Sequence, residues 1–194
     1  MRRSIASMLV VLGALSTPLA AQTAPEPGGG AGAIGVGFAA TLGSGWQIEG
    51  AEIGYVRRAT RGLVRALSVG ARLGSYVDEA AILGGNRGFV FAPTLAARSG
   101  RLMLAELGDE NNLTAIGFDV TIEATGYITA NPPSPQPATW GAVALLPGLR
   151  VGGGNGPQYG FVIGPTWFFG SSSAVRGLLA FRVEAPLARR ERHP

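Results

Sequence analysis

The sequence predicts an all-β fold, a closed antiparallel up-and-down β-barrel, and three observations lead to this prediction. Apolar and polar residues alternate with a period of two along eight segments, with no convincing amphipathic helix between them. Most segments have about ten residues or more, whereas an ordinary strand has five or six. Charged residues make up only 14% of the 194 residues, against roughly a quarter in a typical soluble domain. A chain of this length is expected to form one domain.

The N-terminus is expected to be a secretory signal peptide spanning residues 1–21. Arg2 and Arg3 provide the charged start, MLVVLGAL the apolar core, and TPLAAQ a cleavage region of small residues. The apolar core is too short to cross a bilayer as a helix. The alternative is a buried N-terminal helix. Residues 22–31, rich in proline and glycine, are predicted to form a flexible linker.

The first two predicted strands are AIGVGFAATL and WQIEGAEIGYVRR, joined by a GSG turn. The first alternates regularly, but in the second the apolar face changes phase between Trp46 and Tyr55. A β-bulge near Gly50–Ala51 explains this change and turns Glu49 and Glu52 to the same side of the strand.

The middle of the chain contains two predicted strands and one segment with an ambiguous pattern. LVRALSVGARLGSY and GFVFAPTLAAR read as the third and fourth strands, separated by a polar loop over Asp78–Arg87. Pro93 is the main objection to a central fourth strand, because proline lacks a ladder donor. Residues 99–112 fit either a short ninth strand or a helical segment. We expect a helix or an irregular connector, because eight strands, unlike nine, place both termini on the same side.

The remaining strands are LTAIGFDVTIEATGYIT, WGAVALLPGLRVG, YGFVIGPTWFF and VRGLLAFRVEAPL. The last is expected to close the barrel by pairing with the first. We therefore predict eight strands, with ten as the alternative, over residues 32–187. A basic tail over residues 188–194 follows, expected in the periplasm.

The direction of the two faces separates a soluble barrel from a membrane barrel. A lipocalin-like barrel points its apolar face inward, whereas a membrane barrel points that face towards lipid. The other face is mostly Gly, Ala, Ser and Thr with a few charges per strand, too few for a soluble surface. We therefore expect these charges to pair in the lumen, since an unpaired buried charge is costly. The predicted lumen charge network is Glu49, Glu52, Arg72, Asp119, Glu123, Arg150, Arg176, Arg182 and Glu184.

Tyrosine and tryptophan lie at or near several strand ends, which is typical of the interfacial girdles of membrane barrels. They are Trp46, Tyr55, Tyr76, Tyr127, Trp140, Tyr159 and Trp167. The chain thus resembles the small eight-stranded outer-membrane barrels of Gram-negative bacteria, of OmpA/OmpX-like architecture. Gly177, Leu179, Phe181 and Val183 approximate the C-terminal assembly signal of that family, although the chain continues to Pro194 without a terminal aromatic residue.

The resemblance implies a location in the bacterial outer membrane after export. The expected partners are outer-membrane lipid and lipopolysaccharide, together with the barrel-assembly machinery during biogenesis, and the barrel is expected to be a monomer. No nucleic-acid partner is expected, because removal of residues 1–21 leaves 14 of the 16 basic residues against 12 acidic ones.

We expect no catalytic, cofactor-binding or metal-binding site. The chain has no cysteine, and its one histidine, His193, lies beyond the last strand. Asp119 and Glu123 share a strand face, but pairing with lumen arginines is a simpler role than acid–base chemistry. The predicted function is structural or adhesive, or limited permeation of small solutes. The alternatives are a secreted lipocalin-like barrel that binds an apolar ligand and, more remotely, a lipid-modifying enzyme that uses carboxylates with Ser or Thr.

Overall fold

The structure is a computed structural model that describes residues 32–59, 62–78, 87–108, 114–132, 136–152 and 156–187. The predicted signal peptide (1–21), linker (22–31) and tail (188–194) lie outside these residues. In the described part of the chain, no helix is long and apolar enough to cross a membrane. The strands are β1 (Gly32–Leu42), β2 (Trp46–Arg58), β3 (Val64–Asp78), β4 (Arg87–Ser99), β5 (Leu102–Leu107), β6 (Thr114–Ile128), β7 (Thr139–Val151), β8 (Gln158–Phe169) and β9 (Ala174–Pro186).

The sheet closes on itself as an antiparallel up-and-down barrel with eight strand positions. β1 pairs with β9, which confirms the predicted closing strand, and β4 pairs with β6. Gly32 and Pro186 lie at the same end of the barrel, which we call the terminal end. At the opposite end, the loop end, the chain connects β1 to β2, β3 to β4, β6 to β7 and β8 to β9.

β5 continues β4 along the same neighbouring strand, β6. β4 pairs with β6 as far as Arg98, and β5 resumes the pairing at Leu102. A further register shift leaves Leu104 without a partner on β6. The expected helix or irregular connector over 99–112 is therefore wrong for Leu102–Leu107, because the long strand β6 offers its edge to this segment. Since β4 and β5 run in the same direction, nine segments still build eight strands and leave both termini at one end.

The strands are strongly staggered. Paired residues can be followed from strand to strand around the barrel. The row that starts at Phe91 on β4 passes through the other strands and arrives at Phe118 on β6. Phe91 itself, however, pairs directly with Ile128 on β6. Positions 118 and 128 are ten residues apart, and this offset over eight strands is typical of a strand tilt of about 35–45°. Eight such strands enclose an interior that side chains fill. The row is Phe91, Leu73, Ala51, Phe38, Phe181, Phe161, Leu149 and Phe118.

Alternation along the strands places most of the exposed apolar side chains outside and the paired charges inside. On β9, Phe181 is 48% exposed on the outer face, whereas Glu184 is 3% exposed and faces the lumen. On β6, Ile122 is exposed outside and its neighbour Glu123 is buried inside. The barrel thus has the reverse of the arrangement in a soluble barrel, where apolar residues face inward.

The bulge expected in β2 is absent. The register of β2 with β1 and with β3 is continuous through Gly50–Ala51, so residues three apart face opposite sides. Glu49 therefore points outward and is exposed, while Glu52 points into the lumen. The apolar residues of β2 change from one face of the strand to the other for a different reason. Near the loop end, Trp46 and Ile48 are buried inside the barrel.

We expect Gly50→Val to impair barrel closure. A Cβ atom on Gly50 would lie 2.6 Å from the carbonyl oxygen of Leu73 on the adjacent strand, and backbone cannot yield as a side chain does. Overpacking of this kind costs about 1–3 kcal/mol. Gly141→Val is the matched control, because the nearest atom to its Cβ is the Thr125 carbonyl oxygen at 3.8 Å. Denaturant midpoints measure both variants, and equal losses would contradict the steric argument.

Candidate functional site in the barrel lumen

Among the described residues, the lumen contains two layers of paired charges and one aromatic layer. From the terminal end to the loop end, we call them the terminal cluster, the central quartet and the aromatic plug. The terminal cluster is Arg58, Arg98, Asp119, Arg150 and Glu184; the central quartet is Glu52, Arg72, Glu123 and Arg182; the aromatic plug is Trp46, Tyr76, Tyr127, Trp140 and Phe168.

The central quartet is a closed ring in which each arginine contacts both carboxylates. Arg72 donates to Glu52 and, over 3.1 Å, to Glu123 Oε1. Arg182 donates from Nε to Glu52 Oε2 over 2.8 Å and from Nη2 to Glu123 Oε2 over 2.5 Å. Glu52 and Arg72 are direct cross-strand partners on β2 and β3. Arg182 on β9 lies one strand beyond Glu52, because both residues pair with Gly37 on β1, and Glu123 joins them from β6. The two positive and two negative charges balance.

The terminal cluster is centred on Glu184, which accepts hydrogen bonds from three arginines. Arg150 Nη1 donates to Glu184 Oε1 over 2.9 Å, Arg58 Nη2 donates to Glu184 Oε2 over 3.5 Å, and Arg98 donates to both oxygens. Asp119 accepts from Arg150 Nε over 2.8 Å. Three guanidinium groups thus meet two carboxylates in this cluster.

The two charge layers tie together six wall strands: β2, β3, β4, β6, β7 and β9. Arginine suits this role, because its planar guanidinium group donates several hydrogen bonds in a fixed fork. Burying these charges is costly, and only their mutual pairing offsets the cost. The pairs therefore specify how the barrel closes and also obstruct its interior.

The aromatic plug fills the lumen at the loop end. Tyr127 stacks on Trp140 with ring centroids 5.3 Å apart, and Phe168 packs edge-on against Trp46 at the same distance. Arg176 lies 3.8 Å above the Trp46 ring and donates to the Trp46 carbonyl oxygen over 2.8 Å. The predicted interfacial girdle is therefore wrong for these plug residues, because the loop end of the lumen is lined by side chains large enough to seal it.

Seven of the nine predicted lumen residues meet in the two charge layers. Arg176 also faces inward but lies at the aromatic plug, and Glu49 lies on the outer surface. Sequence reasoning missed Arg58 and Arg98, which both join the terminal cluster. Both arginines lie near the end of a strand, at positions whose side chains point inward. Arg58 is two residues after the buried Val56, and Arg98 is two residues after the buried Ala96. The alternation of inward and outward positions along each strand was therefore the sequence feature that could have identified them.

The lumen carboxylates are engaged as ion-pair partners. Glu123 lies between Arg72 and Arg182, and Asp119 pairs with Arg98 and Arg150. Within the described residues, no group of three or more His, Cys, Asp or Glu side chains is placed to hold a metal ion. His193 lies outside the described residues. The chemical capacity of this site is electrostatic: it holds strands together and sets the charge of the lumen.

We expect Arg72→Met to destabilise the barrel by about 3–5 kcal/mol, the usual cost of removing one partner from a buried ion pair. The substitution leaves Glu52 and Glu123 sharing Arg182 alone. Adding Glu123→Gln restores charge balance, so the double variant should be more stable than the sum of the single effects predicts. Arg57→Met, on the outer face of the same barrel, should change stability by less than about 0.5 kcal/mol. Urea unfolding measures the native protein, both single quartet variants, the double variant and Arg57→Met, and strictly additive losses would refute the quartet.

Comparisons with protein-family models, with curated proteins and with solved structures return no significant match. The fold and the lumen geometry described above are therefore the grounds on which function is inferred. Two features matter most. Charged residues pair inside the barrel, and large apolar residues cover its outer face.

Proposed function

We propose that this protein is a non-enzymatic β-barrel of the bacterial outer membrane, whose apolar outer wall contacts lipid and lipopolysaccharide and whose lumen is closed. Its role is structural or adhesive, with at most limited permeation of small solutes. The observation that carries the proposal is the reversed alternation: apolar side chains outside, paired charges inside. The assembly machinery of small outer-membrane barrels would then insert it after export, as the resemblance of its architecture implies.

The apolar outer surface supports contact with lipid. The outward row that includes Phe38, Phe161 and Phe181 has every member exposed, and it runs around the whole wall. Soluble monomers rarely expose contiguous apolar patches larger than a few hundred Å². A continuous apolar band of this extent is unstable in water and stable against hydrocarbon.

The dimensions of the apolar band also fit a bilayer. On β8, the outward residues from Tyr159 to Phe169 are apolar throughout. Ten residue steps along a strand tilted by about 40° rise about 25 Å, the height of the apolar band in membrane barrels. On β2, the outward apolar stretch is bounded by Glu49 on one side and Arg57 on the other, as expected where a strand leaves the hydrocarbon.

The side chains in the lumen support a closed barrel rather than a barrel with a binding cavity for an apolar ligand. A lipocalin-like cavity is wide and lined by apolar side chains. Here nine paired charged residues occupy the middle and the terminal end, and aromatic rings occupy the loop end. The cavity lined by Glu123, Arg150 and Glu184, among other residues, has a volume of about 70 Å³, too small for a lipophilic molecule.

We expect Phe181→Arg to impair insertion, because arginine on the lipid-facing side costs about 2–4 kcal/mol near the bilayer midplane. Leu187→Arg is the matched control: Leu187 is similarly exposed (46% against 48%) but follows the last strand at the terminal end, where the cost is about 0–1 kcal/mol. Arg182→Ala should disturb lumen packing while leaving insertion less affected than Phe181→Arg does. Folding into lipid vesicles, followed by heat-modifiable migration on a gel, measures each variant.

A soluble barrel would show the reverse pattern, with Phe181→Arg harmless and the native protein recovered from the periplasmic extract without detergent. Either result would overturn the membrane location and favour the soluble ligand-binding barrel instead.

We expect purified protein in planar bilayers to show no sustained large conductance, because the charge layers and the aromatic plug fill the lumen. Replacing both Trp46 and Phe168 with alanine, while keeping the charge layers, should still leave the barrel closed. Removing Arg72 as well should increase the frequency of brief openings. Stable open channels in the native protein would contradict the closed lumen.

A further inference from the structure

β5 is an edge strand in a sheet whose other described strands are each paired on both sides. On one side it pairs with β6, as far as Leu107 opposite Thr114. On the other side, β3 accompanies β4 only as far as Ser99, which pairs with Val64. Among the described residues, no strand pairs with the second edge of β5. The backbone donors and acceptors of this edge are therefore available to another strand.

The free edge lies at the terminal end of the barrel and projects beyond the neighbouring strands. β6 pairs with β7 only as far as Ile116, which faces Ala105 on β5. The register row that starts at Tyr159, near the terminal end of β8, passes through Ile116 to Ala105. The stagger of the barrel carries this row towards the terminal end, and Glu106 and Leu107 continue past it. In the membrane orientation proposed above, this part of β5 therefore lies in water, beyond the apolar band.

The exposed part of β5 combines apolar side chains with one carboxylate. Leu104 and Leu107 are 60% and 58% exposed, and Ala105 and Glu106 between them are exposed too. Leu63, just before β3 on the neighbouring hairpin, is 93% exposed. A strand added to the free edge would lie in line with β3, beyond Leu63, and would cover these apolar groups as well as the backbone of β5.

Two features make this edge selective. Edge strands are commonly protected by a bulge or by a charged side chain, and β5 has both: a register shift at Leu104 and the carboxylate of Glu106. A carboxylate on an edge repels an acidic residue on an incoming strand and attracts a basic one, because cross-strand neighbours lie only about 5 Å apart. The edge therefore favours a basic strand over an acidic one.

We propose that the free edge of β5 binds, by strand addition, an extended segment of a water-soluble protein in which apolar residues alternate with basic ones. Lipid does not fit this edge, because acyl chains offer no partners for backbone groups. A second copy of β5 does not fit either. Two barrels related by a two-fold axis normal to one membrane both direct β5 towards the terminal end, so their β5 strands cannot run antiparallel. The position in water rests on the proposed membrane location, whereas the free edge itself does not.

The first experiment measures binding of two synthetic peptides to the folded full-length chain in detergent micelles. In one peptide valine alternates with arginine, and in the other valine alternates with glutamate; both have blocked ends and carry a fluorophore. The basic peptide should bind about tenfold more tightly than the acidic one, because of its contact with Glu106. Equal affinities, or no binding of either peptide, would overturn the proposal.

Matched variants separate pairing at β5 from general attraction between charges. Glu106→Arg should reverse the preference, so that the acidic peptide binds more tightly than the basic one. Glu49→Arg is the control, because Glu49 is also an exposed carboxylate but lies on the outer wall of β2, and it should keep the preference for the basic peptide. The same change in both variants would contradict a site at β5.

Backbone methylation tests whether the peptide binds as a strand. The amide groups of alternate residues in a strand point towards the same neighbour. N-methylation of one alternate set in the basic peptide should therefore abolish binding, whereas methylation of the other set should be tolerated. Equal binding of both methylated peptides would show that hydrogen bonds to the edge play no part, and would overturn strand addition.

Hydrogen exchange locates the binding site. The basic peptide should slow exchange of the amides of Leu104–Leu107 and leave exchange in β1 and β9, away from the free edge, unchanged. Slower exchange elsewhere without a change in β5 would overturn the proposal. Peptide binding and exchange are measured on folded protein whether or not the barrel is native to a membrane. Failure of strand addition is therefore distinguishable from failure of the membrane location, which the Phe181→Arg variant tests.

Discussion

The pairing of buried charges inside a narrow closed barrel is the constraint on which the rest of this structure depends. Eight staggered strands leave an interior only as wide as a few side chains, and four carboxylates and five arginines occupy it in the two charge layers. Each buried charge costs several kcal/mol unless it is paired. The register of six strands must therefore bring each arginine to its carboxylates, and a slip of one residue would place charges on the outer wall.

The composition of both faces follows from this arrangement. Near the arginines, several inward positions hold small residues, among them Gly35, Ala39 and Ser68, which leave room for the long guanidinium side chains. The charged side chains of the network point inward, and the outer wall carries mainly apolar side chains. The same side-chain choice thus explains the closed interior, the low content of charged residues and the lipid-compatible exterior that supports the proposed membrane location.

Sequence periodicity predicted the barrel, its closing strand and most of the lumen network, because alternation with a period of two is a local property of each strand. It failed where neighbours from other strands decide. The change of the apolar face along β2 predicts a bulge. In the structure the register is continuous, and Trp46 and Ile48 point into the lumen, where they pack with the aromatic plug. The pattern of Leu102–Leu107 is ambiguous by itself and favours a connector, whereas pairing with the free edge of β6 makes the segment a strand.

By itself, the sequence determined which residues share a face of each strand and which of the two faces carries most of the charges. Only the tertiary structure decided which charges meet. Glu52 and Arg72 are neighbours on adjacent strands, and Arg182 lies one strand beyond Glu52, but Glu123 joins them from β6. The physical reason is that periodicity describes one strand at a time, whereas closure, stagger and the number of strands set the distances across the barrel.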